Sequence, residues 1–346
     1  LKIESFFSKL YPIKHSKNNF ESIQSLSTCS QLKPHTVVFV KDTKFLKTLK
    51  TSFLTKVPEN LWIIVEEKLF QKLTEEEKNQ LAHHADALYL MPNCMLGLCE
   101  LSRHFFEIKI KQHNDVVDGR QMGTAQVDPD ALIAQGVFLG ANVKIAAGVK
   151  VYPGCVVMSS CEIGQDTILY PNVTLYPDSK IGKNCIIHSG CVIGADGFGY
   201  HFDHGKHHKI YHLGGVVLGN EVELGAGTTI DRGTIESTAV ASGTKIDNLV
   251  HVGHNCQLGE GVILCGQVGL SGSVKIGAYS VLGGKAGVAP DTTIGEQSQI
   301  AGMAGVTGNL EKASKVAGHP ARPVSEWLRS VAHIRMLSEK KIKAGD

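Results

Sequence analysis

The chain has 346 residues, 42% of them apolar and 20% charged, with a net charge of +2. That balance excludes a disordered chain, and so small a charge points to neither nucleic acid nor an electrostatically bound membrane. The strongest apolar run, residues 61–65, is five long, against the ~18 that a transmembrane helix needs. The start of the chain lacks the apolar core of a signal peptide, so a cytoplasmic location is expected. Nine cysteines include no CxxC pair. An odd count in a long unexported chain is not a disulfide framework.

Residues 1–124 read as a small α/β domain. Residues 37–40 and 61–65 form short β-branched runs, which predict strands. Over residues 95–110, Leu98, Leu101, Phe105 and Ile108 fall at helical spacing.

Residues 125–318 carry a repeat of six. Every sixth residue is aliphatic from Val127 through Ile133, Leu139 and Ile145 to Ile193. The pattern resumes at Leu218, Leu224 and Ile230, slips by four, and runs again from Val240 to Val306. A period of six cannot be an α-helical stripe. It suits short strands with a turn in each hexad, three strands closing one triangular coil. The 27 aliphatic slots make about nine coils, roughly 43 Å of prism at ~4.8 Å per stacked strand. The slot four residues after each aliphatic is small and takes Cys155, Cys161, Cys185, Cys191 and Cys256. Cysteine there acts as a small inward hydrophobe. Glycines such as Gly164, Gly182 and Gly225 follow the aliphatics and are expected to relax the corner backbone.

The repeat is interrupted at about residues 194–215. This insertion holds Gly194-Ala195-Asp196-Gly197-Phe198-Gly199-Tyr200 and five histidines, at 201, 204, 207, 208 and 212. A zinc site is one reading, but the setting is a polar, lysine-containing loop, which favours a solvated or substrate-facing segment. A second polar cluster, Asp247-Asn248-Leu249-Val250-His251-Val252-Gly253-His254-Asn255, lies inside the unbroken repeat. Its polar side chains must point outward from a rigid scaffold, which suits catalysis. A histidine can take a proton near neutral pH, and a carboxylate can orient it. Residues 319–346 begin with Pro320 and Pro323. Val324, Trp327, Leu328, Val331, Ile334 and Leu337 then mark an amphipathic helix, fit either to bundle with copies of itself or to cap the coil.

The repeat resembles that of the hexapeptide-repeat acyltransferases. The segments Gly194–Tyr200, Glu223-Leu224-Gly225-Ala226, Thr229-Ile230-Asp231-Arg232-Gly233, Ile246-Asp247-Asn248, Gly253-His254-Asn255 and Ala321-Arg322-Pro323 are similar to those of the UDP-3-O-acylglucosamine N-acyltransferases of lipid A biosynthesis. The resemblance implies a mainly β fold: a left-handed parallel β-helix with a small N-terminal α/β domain and a C-terminal helical tail. It also implies a homotrimer with active sites between prisms, and no metal or other cofactor.

The reaction it implies is transfer of a 3-hydroxyacyl group from acyl carrier protein to the 2-amino group of UDP-3-O-acylglucosamine. His254 would be the general base, Asp247 would orient it, and the Gly272 N–H would hold the oxyanion. Asn248, His251 and His212 would lie near the nucleotide and phosphates. Phe39, Asp42 and Phe45 match the family's uracil-gripping aromatic-x-x-Asn-x-x-Tyr motif, with Asp for Asn and Phe for Tyr. Pro290-Asp291 stands where the family often has Gly-His, and an acid there would repel phosphates unless it points away. Gly302 and Gly305 leave room for a long acyl chain. Arg329, Arg335, Lys340, Lys341 and Lys343 could dock an acidic carrier protein. The alternatives are an enzyme for another nucleotide amino sugar or an acyl-CoA donor, a zinc enzyme on the same prism, and a scaffold without catalysis.

Overall fold

The computed structural model describes residues 3–16, 20–55, 57–113, 123–319 and 323–343, with side chains at 21, 110–113 and 337–343 left aside. Ala321 and Arg322, and the side chains of Leu337, Lys340, Lys341 and Lys343, therefore lie outside the described part.

The first region is a five-stranded sheet in the order β1-β5-β4-β3-β2. Its strands are β1 (Tyr11–Lys14), β2 (Ser25–Leu26), β3 (Thr36–Val40), β4 (Leu61–Glu66) and β5 (Ala87–Met91). The last four are parallel, and β1 runs antiparallel to β5. Residues 61–65 are buried without alternation, as a strand covered on both faces requires. The helices are α1 (Ile3–Phe7), α2 (Thr43–Phe53), α3 (Glu67–Phe70), α4 (Glu75–His84) and α5 (Cys94–His113). Thr74 and Glu77 form a capping box on α4, satisfying N–H groups at the first turn. One face of the sheet packs with Phe6, Phe7, Trp62 and α5, the other with α2 and Leu81.

From Gln126 to Val316 the chain winds into three parallel sheets of 10, 9 and 9 short strands. Val151 stacks on Leu169, eighteen residues on, and Leu169 on Ile187. Three hexads therefore make one coil. The aliphatics and the small slots are buried as one continuous column, Cys155, Cys161, Cys185, Cys191 and Cys256 included. Burial pushes the thiols of Cys155, Cys185, Cys191 and Cys256 up, which suppresses the reactive thiolate.

The glycines after the aliphatics act differently from the expectation. Positive φ falls two residues later, at positions such as Asn142, Asp166, Asn172 and Asn184. Asn and Asp tolerate that conformation better than most side chains. Gly164 and Gly182 have ordinary φ, and a Cβ on them would stand 2.6 Å and 2.3 Å from the backbone of the next coil. They are glycine because the coils stack closely there.

The insertion forms an antiparallel hairpin, Tyr200–Asp203 with Lys206–Lys209. Residues 210–215 then return along the loop at 232–237: Leu213 N–H donates to Thr234 O and Gly214 N–H to Gly233 O. Helix α5 seats on this return. Tyr211 N–H donates to Ser102 Oγ at 3.1 Å, Lys109 Nζ reaches Leu213 O at 2.7 Å, and Phe106 packs on Tyr211. Asn93 and His201 side chains meet at 3.1 Å. The insertion thus ties the first region to the prism.

The tail helix, α6, spans Val324–Lys343. Val324, Trp327, Leu328, Val331 and Ile334 are exposed, so this apolar stripe does not cap the coil.

Candidate active site

Stacking decides which polar groups meet. His251–Val252 lies on Thr229–Asp231 in one sheet, with Gly269–Leu270 next above. Ile230 and Val252 point inward, so by the alternation of strands Thr229, Asp231 and His251 point outward. His254 follows at the next corner. Asn255 after it has φ 62°, the left-handed turn residue of its hexad.

His254 is held from several sides. Its Nδ1 lies 2.9 Å from Asn255 Nδ2. Asn255 Oδ1 accepts the Thr234 N–H at 2.7 Å, which fixes the amide with its NH2 toward the imidazole. The NH2 donates to Nδ1, so this network assigns the neutral ring's proton to Nε2. Gly272 sits against that nitrogen: a Cβ there would stand 2.5 Å from His254 Cε1 and 2.6 Å from Nε2. The Gly272 N–H makes no backbone hydrogen bond among the described residues. Burial pushes the His254 pKa down, the carboxylate of Asp291 opposes this, and His251 lowers it further. A lowered pKa keeps the ring neutral near pH 7, as a base must be.

His212 closes the other side. Its ring stands 5.2 Å from that of His254, edge to face. It is fully buried, and neither ring nitrogen has a hydrogen-bond partner among the described residues. Burial, then the neighbouring His254, pushes its pKa down to about 4. Gly197 and Gly199 make space for the pair: a Cβ on Gly197 would stand 2.6 Å from His254 Cβ, and one on Gly199 2.8 Å from His212 Cε1. The Gly-Phe-Gly of the insertion is therefore a close-approach device.

The remaining candidates are spread more widely. His251 is exposed, with Nδ1 2.9 Å from Thr229 Oγ1 and Nε2 3.7 Å from Asp231 Oδ2. Asp247 and Asn248 occupy the preceding corner of the same coil. Asp247 Oδ1 accepts the N–H and the side-chain NH2 of Asn248, and Asn248 Oδ1 accepts the Ala226 N–H at 2.7 Å. No hydrogen bond or ion pair joins Asp247 to His254 within the chain among the described residues.

Phe39, Asp42 and Phe45 lie in the first region. Asp42 Oδ1 accepts the Phe45 N–H at 3.0 Å as N-cap of α2. That is a local reason for an acid at this position. Lys41 Nζ sits 4.9 Å above the exposed Phe45 ring. Phe39 is half-buried near Gly97.

Sequence reading gave no separate task to Asn255, Asp196 or Asp231. Asn255 adjoins His254 in the chain, whereas Asp231 meets His251 only through the stacking of neighbouring coils. Among the described residues, no three His, Cys, Asp or Glu side chains converge as metal ligands. No described helix is long and apolar enough to cross a membrane.

The family described as bacterial transferase hexapeptide (six repeats) matches residues 160–195. The coil is the left-handed parallel β-helix of that repeat. UDP-3-O-acylglucosamine N-acyltransferase of Methylobacillus flagellatus is 36% identical over 321 residues, which cover 92% of this chain and 86% of that protein. The chain belongs to the UDP-3-O-acylglucosamine N-acyltransferase family. A second family member, UDP-3-O-acylglucosamine N-acyltransferase 2 of Legionella pneumophila, is 49% identical over 148 residues, 43% of each chain. The matches to this protein and to two Campylobacter members span 43% to 47% of those proteins' length. The solved structure of LpxA from Acinetobacter baumannii is similar at 24% identity and a TM-score of 0.45, over 58% of this chain and 73% of that one.

Proposed function

We propose that the protein transfers a 3-hydroxyacyl group from acyl carrier protein to the 2-amino group of UDP-3-O-acylglucosamine, giving UDP-2,3-diacylglucosamine. The observation that carries this reading is His254: neutral, clamped between Gly197 and Gly272, with its Nε2 beside the Gly272 backbone. His254 Nε2 takes a proton from the attacking amine. The amine nitrogen bonds to the thioester carbon, and the oxyanion is held by the Gly272 N–H. Collapse expels the carrier thiolate, which takes the proton from His254. The thioester is already activated, so the chain needs no nucleophile of its own.

Base catalysis at Nε2 requires the other tautomer, with the proton on Nδ1 and an acceptor facing it. Asn255 presents a donor there. A carboxylate at Nδ1 reverses the preference and supports the imidazolium that forms. Asp247 supplies it from a neighbouring prism in a homotrimer, across the groove between subunits. The exposed stripe of Trp327, Leu328, Val331 and Ile334 on α6 supports self-association, since three such helices bury one another's apolar faces. The basic residues Arg329 and Arg335 of α6 face the acidic donor.

Above His251 the outward positions of the same sheet are Gly269, Gly287 and Gly305, stacked in register. A Cβ on any of the three would meet nothing within 4 Å. This strip, bare of side chains and continued by Gly302, is a bed for a long acyl chain. His212, His251 and Asn248 face the nucleotide and phosphates, and Phe39 and Phe45 the uracil. Asp42 is engaged at its helix cap, which favours a looser hold on the base. A related nucleotide amino sugar or an acyl-CoA donor is the second reading that this favours.

The test incubates the protein with UDP-3-O-acylglucosamine and a ladder of hydroxyacyl carrier proteins, beside acyl-CoA donors, and reads products by mass spectrometry. Diacylated product from long-chain carrier protein, lost in His254→Ala, is expected. Product from acyl-CoA alone transfers support to the second reading.

A further inference from the structure

We propose that Asp231, with His251 beside it, receives the acceptor amine as an ammonium ion and takes its first proton, leaving the second to His254. The proposal rests on the N-acyltransfer reading above and goes beyond it by dividing the proton work between two bases. An amine among electron-withdrawing oxygens, like an α-amino group, titrates at about 8. It therefore arrives largely protonated, without the lone pair that attack requires. A single histidine that removes the proton during attack cannot also remove the one that blocks it.

The structure offers a second acceptor one coil below His251, in the sheet that leads to the His254 corner. Asp231 ends the strand stacked between Ala195 and the coil of His254. Its side chain is 14% exposed, and among the described residues its ion pair is to His251 Nε2 at 3.7 Å. No hydrogen bond to its carboxylate is formed among the described residues. A mostly buried carboxylate without a close donor is costly, and an incoming ammonium would fill that gap with a charge-assisted bond. The groups that face it are His251 from the strand above and Asp196 from the coil below, with the Cys256 thiol within electrostatic reach inside the prism. His251 favours its charge and Asp196 opposes it. Burial dominates, and its pKa rises to about 6, a better match to a proton acceptor near neutral pH than an ordinary aspartate. His212 is buried against His254, both its ring nitrogens without a hydrogen-bond partner among the described residues.

The atoms balance. R–NH3+ gives one proton to the Asp231 carboxylate and becomes R–NH2. Its lone pair bonds the thioester carbon, and the carbonyl π pair moves to oxygen. His254 removes the second proton. The oxyanion collapses, the C–S pair leaves on sulfur, and His254 protonates the thiolate. Asp231 releases its proton to water. The sum is R–NH3+ plus thioester giving amide, thiol and one H+.

The experiment compares wild type, Asp231→Asn and Asp231→Glu in the full chain. Ligands are UDP-3-O-acylglucosamine and the analogue with a hydroxyl in place of the 2-amine, bound without donor and followed by calorimetry. Wild type should prefer the amine by about tenfold or more near neutral pH. Asp231→Asn should bring the two ligands to within about twofold, lower kcat/KM by about a hundredfold and displace the acid limb of the pH profile. Asp231→Glu should recover part of both.

A stability readout stands apart from activity. The folded pKa lies above the ordinary 3.8, so the folded state holds the extra proton between the two values. The ionised carboxylate thus costs stability as pH rises through that window. Asp231→Asn should melt above wild type at pH 8 and level with it near pH 4. A variant that keeps the amine preference, or melts no higher at pH 8, while wild type acylates the amine, overturns the proposal alone. A wild type that neither binds nor acylates the amine overturns the acyltransfer reading and the proposal together.

Discussion

The coils before the insertion and the coils after it share one interior and differ at their corners. In the first set Tyr152, Tyr170 and His188 stack in a ladder, with ring centroids 5.3 and 5.0 Å apart. His188 meets Glu223 at 3.3 Å, a half-exposed pair worth under about 1 kcal/mol. In the second set the corners and outer faces are pared down to Gly253, Gly272 and Gly287, the insertion adds Gly197 against them, and the histidine among them is mostly buried. The repeat supplies the same rigid frame throughout. What turns a corner into a site is the removal of neighbouring side chains, so that a ligand rather than a ring can occupy the space.

The contrast is sharpest for the two histidines. His254→Ala should lower kcat by about a thousandfold, the usual scale of a lost general base, with the melting temperature nearly kept. His188→Ala should leave turnover within about twofold and cost the fold ~1 kcal/mol of stacking and ion pairing. Parallel rate and melting measurements decide. Equal losses of rate would erase the distinction between the two regions.

The glycines give the next largest effect. Gly272→Ala places a Cβ 2.5 Å from the His254 ring, which must turn. A loss of about tenfold to a hundredfold in kcat is expected, with little change in stability. Gly164→Ala meets the backbone of the next coil at 2.6 Å and should cost about 1–3 kcal/mol of stability without a specific effect on rate. Denaturant melts and steady-state kinetics on both variants separate the roles.

The effect confined to the narrowest range of conditions lies in pH dependence. The folded pKa of His212 is lowered from 6.5 to about 4. The unfolded chain therefore binds more protons between those values, and stability is lost as pH falls through them. The loss amounts to at most roughly 3 kcal/mol. His212→Gln should flatten this acid-side slope, read by denaturant unfolding at a series of pH values. An unchanged slope would mean that the buried ring is not held neutral.

Much of the frame was legible because the six-residue period needs no tertiary information: each aliphatic from Leu139 to Val306 that the spacing marked is buried. The strands at 37–40 and 61–65 and the helix at 95–110 were legible for the same reason, being dense apolar runs of one period. The site was legible only in part. His254, Gly272 and His212 stand together and Asn255 is His254's neighbour in the chain, yet Asp231 reaches His251 only through pairing between coils some twenty residues apart, which no local pattern displays. The corner glycines were assigned to the wrong constraint, because spacing cannot separate a positive φ from a close stacking contact. Asp247 is the contrasting case: no hydrogen bond or ion pair joins it to His254 within the chain among the described residues, and the place proposed for it is across a boundary between prisms.

Mixed assembly tests that arrangement most directly. His254→Ala and Asp247→Asn proteins, each nearly inactive alone, would be unfolded together, refolded and assayed for diacylated product. A groove built from two prisms makes about one site in four whole under random assembly in a cyclic trimer, so activity should return to about a quarter of wild type. Mixed protein that stays as silent as either parent contradicts a shared site.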